Sequence, residues 1–508
     1  MKIAGKSPSR NGRKAIGVIM IKRKGLKIGL LALAASVVTG AALYLLWQIG
    51  FFLPRWIEWK SGPESDCSGL YELEIKQREV CLLREGVEIW RPEKGIKTQQ
   101  ALFGDIDSDG DEELLLLCWK VGRYGEEKPF WVEQDERKWS QHIFVYEYEG
   151  ETVRPKWMSS YLGQDVTDIA MGKEGPASNR LFLTDRQGKI SCWFWDSWGF
   201  AKEERDVLFS VFGDNLVHEP IYRYGLNHGG SFDFLFENVA DAVSQSDIAV
   251  INQETPLVED AKKYSDYPRF GTPVPVGEAI AAAGFDVVTC ATNHALDQGP
   301  DGVDTTKSFF TSRQIVCLGI QSREETEDHA FEIMEKNGIR FALFNYTYGT
   351  NGIRLPEENP YMVHLLEDEE KIQNDLLTAR EKADVVIVFV HWGTENSGQA
   401  DDFQRKWAQI FFESQVDVVV GTHPHVAQPY ELLEGKEGHR MLIYYSIGNF
   451  VSAQPEKTAE KGGMASFRIS LTPFGYDVTE YGFKRLVIQW KEDGKYVAEW
   501  REDEKAEG

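Results

Sequence analysis

No Asp or Glu occurs in the first 57 residues of this 508-residue chain, although ten Lys or Arg do. Beyond residue 57 the balance reverses, with 46 basic residues against 80 acidic ones. Charge of either sign is also missing from Ile28 to Trp47, and the apolar run resumes from Ile49 to Leu53 after Gln48. Twenty helical residues rise roughly 30 Å, the thickness of a hydrocarbon core. Lys22, Arg23, Lys24 and Lys27 precede the run, which predicts a cytoplasmic N-terminus. A cleaved signal would have an apolar region of only about 7 to 15 residues. The expectation is therefore a single-pass cell-membrane protein, with a basic cytoplasmic tail at 1–27, a transmembrane anchor at 28–53 and extracytoplasmic domains beyond. Topology accounts for the basic tail, so no nucleic-acid partner is expected.

Cysteine is scarce, six in all, and Cys118, Cys290 and Cys317 sit in apolar runs that suit buried free thiols. Cys67 and Cys81 make the more plausible pair, and the composition leaves the pairing open. Helical periodicity is scarce between Cys67 and Arg205. Short apolar runs such as Leu70 to Ile75, Leu114 to Trp119, His142 to Tyr148 and Arg180 to Thr184 alternate with turns. Residues 58–205 thus read as a β-rich domain.

Within that domain Asp105, Asp107, Asp109, Asp111 and Glu113 surround Gly110 at alternating positions. Oxygen ligands so spaced, with a glycine at the sharp turn, suit one hard cation. An EF-hand is excluded because its twelfth position is Leu116 and flanking helices are missing. With the strand Leu114 to Leu117 after it, the loop resembles the calcium loop of FG-GAP propeller repeats. That resemblance implies a bound Ca²⁺ and a propeller-like region of about three four-stranded blades.

From Asp206 the pattern changes to alternating strands and helices, an α/β layer fold. Five apolar runs each end in polar residues: Val207–Phe212 before Asp214, Ile248–Ile251 before Glu254, and Phe285–Thr289 before Asn293 and His294. Val385–Val390 ends before His391, and Val416–Val420 before His423-Pro424-His425. Runs of this kind fit parallel strands buried on both faces, with ligand-type residues at their carboxyl ends. Helices are expected over Phe232–Val243, Gly277–Ala283, Asp301–Ser312 and Asp402–Gln415, and alternating strands close the chain.

Singly, these polar residues suit turns, caps or satisfied interior sites. Jointly, carboxylates, imidazoles and one amide oxygen suit a pair of divalent ions such as Mn²⁺, Zn²⁺ or Fe²⁺. No cysteine shares the motifs, which argues against a structural zinc knot. Such a pair would support hydrolysis of a phosphoester, with His294 as acid. Asp297 would either orient His294 or cap the helix starting near Gly299.

Six motifs in order carry a family resemblance: Gly213-Asp214, Asn252-Gln253-Glu254, Asn293-His294 with Asp297 and Gly299, His391-Trp392-Gly393 with Glu395, Gly421-Thr422-His423-Pro424-His425, and Tyr445-Ser446-Ile447-Gly448-Asn449-Phe450. From Asp206 to Ser452 the chain resembles the CapA-type (PGA_cap) capsule and poly-γ-glutamate synthesis proteins. This resemblance implies a calcineurin-like metallophosphoesterase fold over 206–455, with a C-terminal β extension and acidic tail at 456–508. It maps Asp214, Glu254, Asn293, His391, His423 and His425 onto metal-ligand positions and His294 onto the catalytic histidine. Gln253 and Thr292 depart from the residues usual in the family. The first-strand Asp-x-His of general metallophosphoesterases is absent, and His218, four residues after Asp214, is a further candidate ligand.

The expected function is capsule or poly-γ-glutamate synthesis or export, with a metal-dependent hydrolase site acting on an anionic polymer or phosphoester beside polymer-synthase membrane subunits. The alternatives are a non-catalytic polymer-binding scaffold and a general metallophosphoesterase unrelated to capsule.

Overall fold

Gly50 stops the first helix short. The computed structural model describes residues 31, 33–124, 130–325, 327–436, 438–454 and 462–501. Helix α1 (residues 33–48) ends where Gly50 takes a φ of 74°. There the Phe51 N–H donates to the Leu46 carbonyl and the Gly50 N–H to the Trp47 carbonyl, both at 3.0 Å. This is a left-handed glycine stop, and it removes Phe51 to Leu53 from the apolar helix counted in the sequence. Among the described residues no helix is long and apolar enough to cross a membrane. The single-pass membrane expectation is thereby corrected. Residues 1–30 and the tail 502–508 lie outside the described residues.

The chain divides into two units, residues 1–173 with 178–203, and residues 174–177 with 204–508. In the first unit three four-stranded sheets follow one another: β1–β4 (residues 62–90), then β5 (Lys97–Gly104), β6 (Glu113–Val121), β7 (Trp139–Glu149) and β8 (Thr152–Met158), then β9–β12 (residues 166–203). Each is antiparallel throughout. The region is β-rich, as its composition requires; neither a propeller nor an FG-GAP character is shown by these sheets. All six cysteines are free. Cys67 is exposed and Cys81 buried, while Cys290 and Cys317 lie with their sulfurs 3.7 Å apart.

The second unit is a mixed α/β fold. Strands β13 (Asp206–Asn215), β14 (Ile248–Gln253), β17 (Val287–Thr289) and β18 (Val316–Leu318) run parallel in one sheet. The same sheet continues antiparallel through β26 (Gly462–Thr472), β27 (Gly475–Trp490) and β28 (Tyr496–Trp500), and β25 (Asn449–Val451) joins the end of β13. A second sheet has the parallel strands β20 (Ile339–Thr347), β21 (Val385–His391), β22 (Val418–Thr422) and β24 (Arg440–Tyr444). Its antiparallel edges are β19 (Glu332–Lys336) and β23 (Tyr430–Glu434). The short strands β15 (Leu257–Val258) and β16 (Thr272–Pro273) pair separately.

Side-chain alternation assigns the faces. Phe209 and Val211 share one core with Val385, Ile387 and Phe389, so the two sheets pack on each other. Phe212, Ala249 and Ile251 point the other way, to a core with α2 (Glu219–Asn227), α3 (Ala240–Ser244), α4 (Val274–Ala283) and α5 (Gly299–Thr311). Val386, Val388 and Val390 meet α6 (Glu369–Lys382) and α7 (Asp402–Glu413). Helices therefore cover both outer faces. The expected helix over Phe232–Val243 is broken into a 3₁₀ turn at Asp233–Leu235 and α3; Phe232, Leu235, Phe236, Val239 and Val243 are buried all the same.

One buried histidine outside the site makes stability depend on acid. His364 faces Gln321 Oε1 through Nε2 at 3.1 Å, and burial holds its pKa down at about 4. The unfolded chain takes up this proton near pH 6.5, whereas the folded chain refuses it until about pH 4. Stability present above pH 6.5 is therefore lost as pH falls through that window, by up to roughly 3 kcal/mol. Denaturant titrations at pH 7.5 and pH 5 should show a smaller loss in His364→Gln; an equal loss would contradict this assignment.

Candidate metal centre

Five strand ends supply the buried polar cluster. Asp214 is the last residue but one of β13, Glu254 follows β14, Asn293 and His294 follow β17, β21 ends in His391, and His423 and His425 follow β22. Asp214, Glu254, Asn293, His391, His423 and His425 are all buried. Two close backbone approaches make room for them: a Cβ on Gly213 would lie 1.7 Å from the Gly448 carbonyl oxygen, and one on Gly421 2.0 Å from that of Tyr445. His423 and His425 take φ values of 94° and 60°, the left-handed region that non-glycine residues enter at a cost of roughly 1–3 kcal/mol. Strain of this size on both sides of Pro424 aims two imidazoles at one place.

The side chains form two groups with Glu254 between them. In one, His391 Nε2 lies 2.9 Å from Asn293 Oδ1 and 3.2 Å from His423 Nδ1, while His391 Nδ1 meets Thr422 Oγ1 at 3.0 Å. In the other, His425 Nδ1 lies 3.2 Å from Asp214 Oδ2 and 2.9 Å from Asn449 Oδ1. Glu254 Oε1 stands 3.8 Å from His391 Nε2, and Oε2 stands 3.9 Å from His425 Nδ1. Neither Glu254 oxygen has a hydrogen-bond partner, although the residue is only 1% exposed.

Such an arrangement is costly unless a cation completes it. Burial, then the neighbouring Asp214 carboxylate, pushes the Glu254 pKa well above its ordinary value. Burial and the other imidazoles push His391 far down and His423 to about 3. Burial also opposes the charge on His425, but Glu254 and Asp214 outweigh it and raise that pKa to about 9. Ligand atoms of Glu254, His423 and His425 lie within 4.8 Å of one another. The donor set, with its orphaned carboxylate, fits divalent metal ions.

Beside the cluster His294 Nδ1 lies 2.7 Å from Asp297 Oδ2, which also accepts the Phe270 N–H at 2.8 Å. Helix α5 starts from Gln298 without a side-chain cap, so the Asp297 carboxylate serves the histidine and not the helix. His218 lies against backbone instead: its Nδ1 is 3.1 Å from the Leu216 carbonyl oxygen and 3.2 Å from the Ala453 amide nitrogen.

Residues 208–454 match the family described as bacterial capsule synthesis protein PGA_cap. The capsule biosynthesis protein CapA of Bacillus anthracis is 28% identical over 265 residues, 50% of this chain and 61% of that protein. The PGA biosynthesis protein CapA of Bacillus subtilis (strain 168) is 26% identical over 279 residues, 54% of this chain and 71% of that protein. The second unit is CapA-like. Its match spans less than two thirds of the Bacillus anthracis protein. Among solved structures, Haemophilus influenzae NAD nucleotidase aligns with a TM-score of 0.36 and 11% identity, over 58% of this chain and 59% of that one.

The CapA-like unit also brings to the centre residues that the sequence reading gave no role: Asn252 and Asn449, quoted only as motif residues, and Tyr348 and Asn351, not singled out at all. Asn449 Oδ1 faces His425, and Asn252 Nδ2 donates to Asp214 Oδ1 at 2.8 Å. Tyr348 lays its ring 4.6 Å from that of His423, and Asn351 Oδ1 accepts from Asn293 Nδ2 at 3.4 Å. The signal for the last two was available. Tyr348-Gly349-Thr350-Asn351-Gly352 is another polar turn directly after an apolar strand, β20.

The predicted cation loop of the first unit is only partly gathered. Asp105, Asp107 and Glu113 bring ligand oxygens within 4.8 Å of one another. Asp109 instead accepts the Asp111 N–H at 2.9 Å, and both residues are exposed.

Proposed function

We propose that the CapA-like unit is a metal-dependent hydrolase with a pair of divalent ions, acting on a phosphoester linkage in the making or export of an anionic capsule polymer such as poly-γ-glutamate. One observation carries the reading: the buried Glu254 carboxylate, without a hydrogen-bond donor, stands between two groups of ligand-type side chains. Asn293, His391 and His423 would hold one ion and Asp214, His425 and Asn449 the other, with Glu254 shared. Mn²⁺, Zn²⁺ and Fe²⁺ all suit these nitrogen and oxygen donors. When bound, such ions activate water and draw charge from a phosphoryl group.

The chain's own residues supply the remaining steps. Asp297 accepts the Nδ1 proton of His294, which fixes the tautomer and leaves Nε2 to hand a proton to a leaving oxygen. Phe270 sets its ring edge-on to His294 at 4.8 Å and keeps water from that side. Tyr348 covers His423 and holds its ring plane. The net charge of −24 disfavours a polyanion at long range, so the ions at the centre would also serve to bind it.

The test is hydrolysis of bis(p-nitrophenyl) phosphate by the full chain supplied with each metal. Metal-dependent turnover that EDTA abolishes is expected, with a loss of roughly 100-fold or more in His294→Asn. Stoichiometric metal without turnover over a panel of mono- and diesters would contradict the hydrolase and favour a polymer-holding scaffold.

A further inference from the structure

In the first unit the acidic loop between β5 and β6 already has a cation. Lys156 Nζ lies 2.6 Å from Asp107 Oδ2 and 2.6 Å from Glu113 Oε1, and 3.5 Å from Glu147 Oε1. The Lys156 and Glu113 side chains are 13% and 3% exposed, so this contact is shielded from water. Backbone donors complete the loop: Ser108 and Gly110 N–H groups donate to Asp105, at 2.7 and 3.2 Å, and the Ile106 N–H donates to Glu113 Oε2 at 3.1 Å.

The fold supplies a reason for the lysine to be there. Along β8, Trp157 pairs with Val145 and Pro155 with Tyr146, so Lys156 is the extra residue of a β-bulge. A bulge turns a side chain away from the regular alternation of its strand. Lys156 is thereby aimed at carboxylates 43 and 49 positions earlier in the chain. Proline at the preceding position has no N–H to offer the ladder, which favours the bulge at this point.

We propose that Lys156 is the resident cation of this loop, doing by a tethered ammonium what a divalent ion does in loops of similar spacing, so that the first unit needs no calcium. Burial of Glu113 beside Asp107 and Asp105 requires a positive partner in the folded state. A lysine from the same sheet system supplies it without dependence on the metal around the protein. The loop then serves as a clasp between β6 and β8, the outer partners of β7. This inference is independent of the hydrolase reading.

The experiment uses the full chain and Tb³⁺ luminescence, because the Trp195 ring lies 5.9 Å from Lys156 Nζ and would sensitise an ion at that place. Asp107→Asn serves as the reference that subtracts ions bound elsewhere. The wild-type chain should show no Tb³⁺ signal that Asp107→Asn removes, and neither Ca²⁺ nor EGTA should shift the melting of the first unit. Lys156→Met should lower that melting by about 5 °C or more, and should gain both a Tb³⁺ signal and a rise in melting temperature with Ca²⁺. A wild-type signal lost in Asp107→Asn would overturn the proposal. So would a Lys156→Met chain as indifferent to Ca²⁺ as the wild type. If Lys156→Met does not fold with or without Ca²⁺, the wild-type comparison alone decides.

Discussion

Glu254→Gln should strip the centre of metal and yet raise the melting temperature of the metal-free chain. The two effects come from one cause. The Glu254 carboxylate is buried without a donor and beside Asp214, which is unfavourable unless a cation is present. Glutamine has nearly the same shape and no charge, so the metal-free variant should gain about 1–3 kcal/mol. Metal affinity should fall by at least about 100-fold, because the side chain facing both groups can no longer neutralise an ion. The pH dependence has a definite sign. A carboxyl whose folded pKa is raised gives stability that declines as pH climbs above its ordinary value of 4.5. The advantage of metal-free Glu254→Gln over wild type should accordingly widen from pH 4.5 upward. Calorimetry with bound-metal analysis checks all of this, and unchanged metal content or a lower metal-free melting point would contradict it.

The second large effect is expected at Gly213→Ala. Glycine here serves close approach: its added Cβ would meet the Gly448 carbonyl oxygen at 1.7 Å, and the next residue donates its N–H to that same oxygen at 3.0 Å. Backbone must shift, and with it both Asp214 and Asn449, which pair across β13 and β25. A loss of about 3 kcal/mol or more is expected, together with loss of metal. Gly398→Ala is the control, since a Cβ there meets nothing within 4 Å; it should change stability by no more than about 0.5 kcal/mol. Denaturant unfolding of the two variants tests the contrast. Equal, small effects would mean that the strand ends tolerate displacement.

The strands whose ends form the centre, β13, β14, β17, β21 and β22, were legible because β-branched runs buried on both faces leave little else for Val385–Val390 or Val416–Val420 to do, whereas β20, beside β21, was not read. The polar residues at their ends were legible for the same reason, as breaks in an apolar pattern. Helix α6 was not, because only Ile372, Leu376 and Ala379 are buried among its polar residues, one per turn. The opposite error occurred at Phe232–Val243, where apolar spacing suited a helix but the chain buries most of the same side chains through a 3₁₀ turn and a short helix. At the N-terminus the apolar count ran across Gly50, whose positive φ ends the helix before the run is over. The partner of Lys156 left no local trace, and Tyr348 left only its place in a polar turn after β20. Lys156 reaches Glu113 through a bulge, and Tyr348 reaches His423 from a turn that carries no imidazole or carboxylate.

The most direct test of the metal centre is anomalous diffraction from crystals of the full chain grown with Mn²⁺, measured on both sides of the metal edge. Two peaks are predicted, each within about 2.5 Å of a Glu254 oxygen, one on the His391 side and one on the His425 side. Peaks confined to other parts of the molecule, with Glu254 still lacking any partner, would contradict the account.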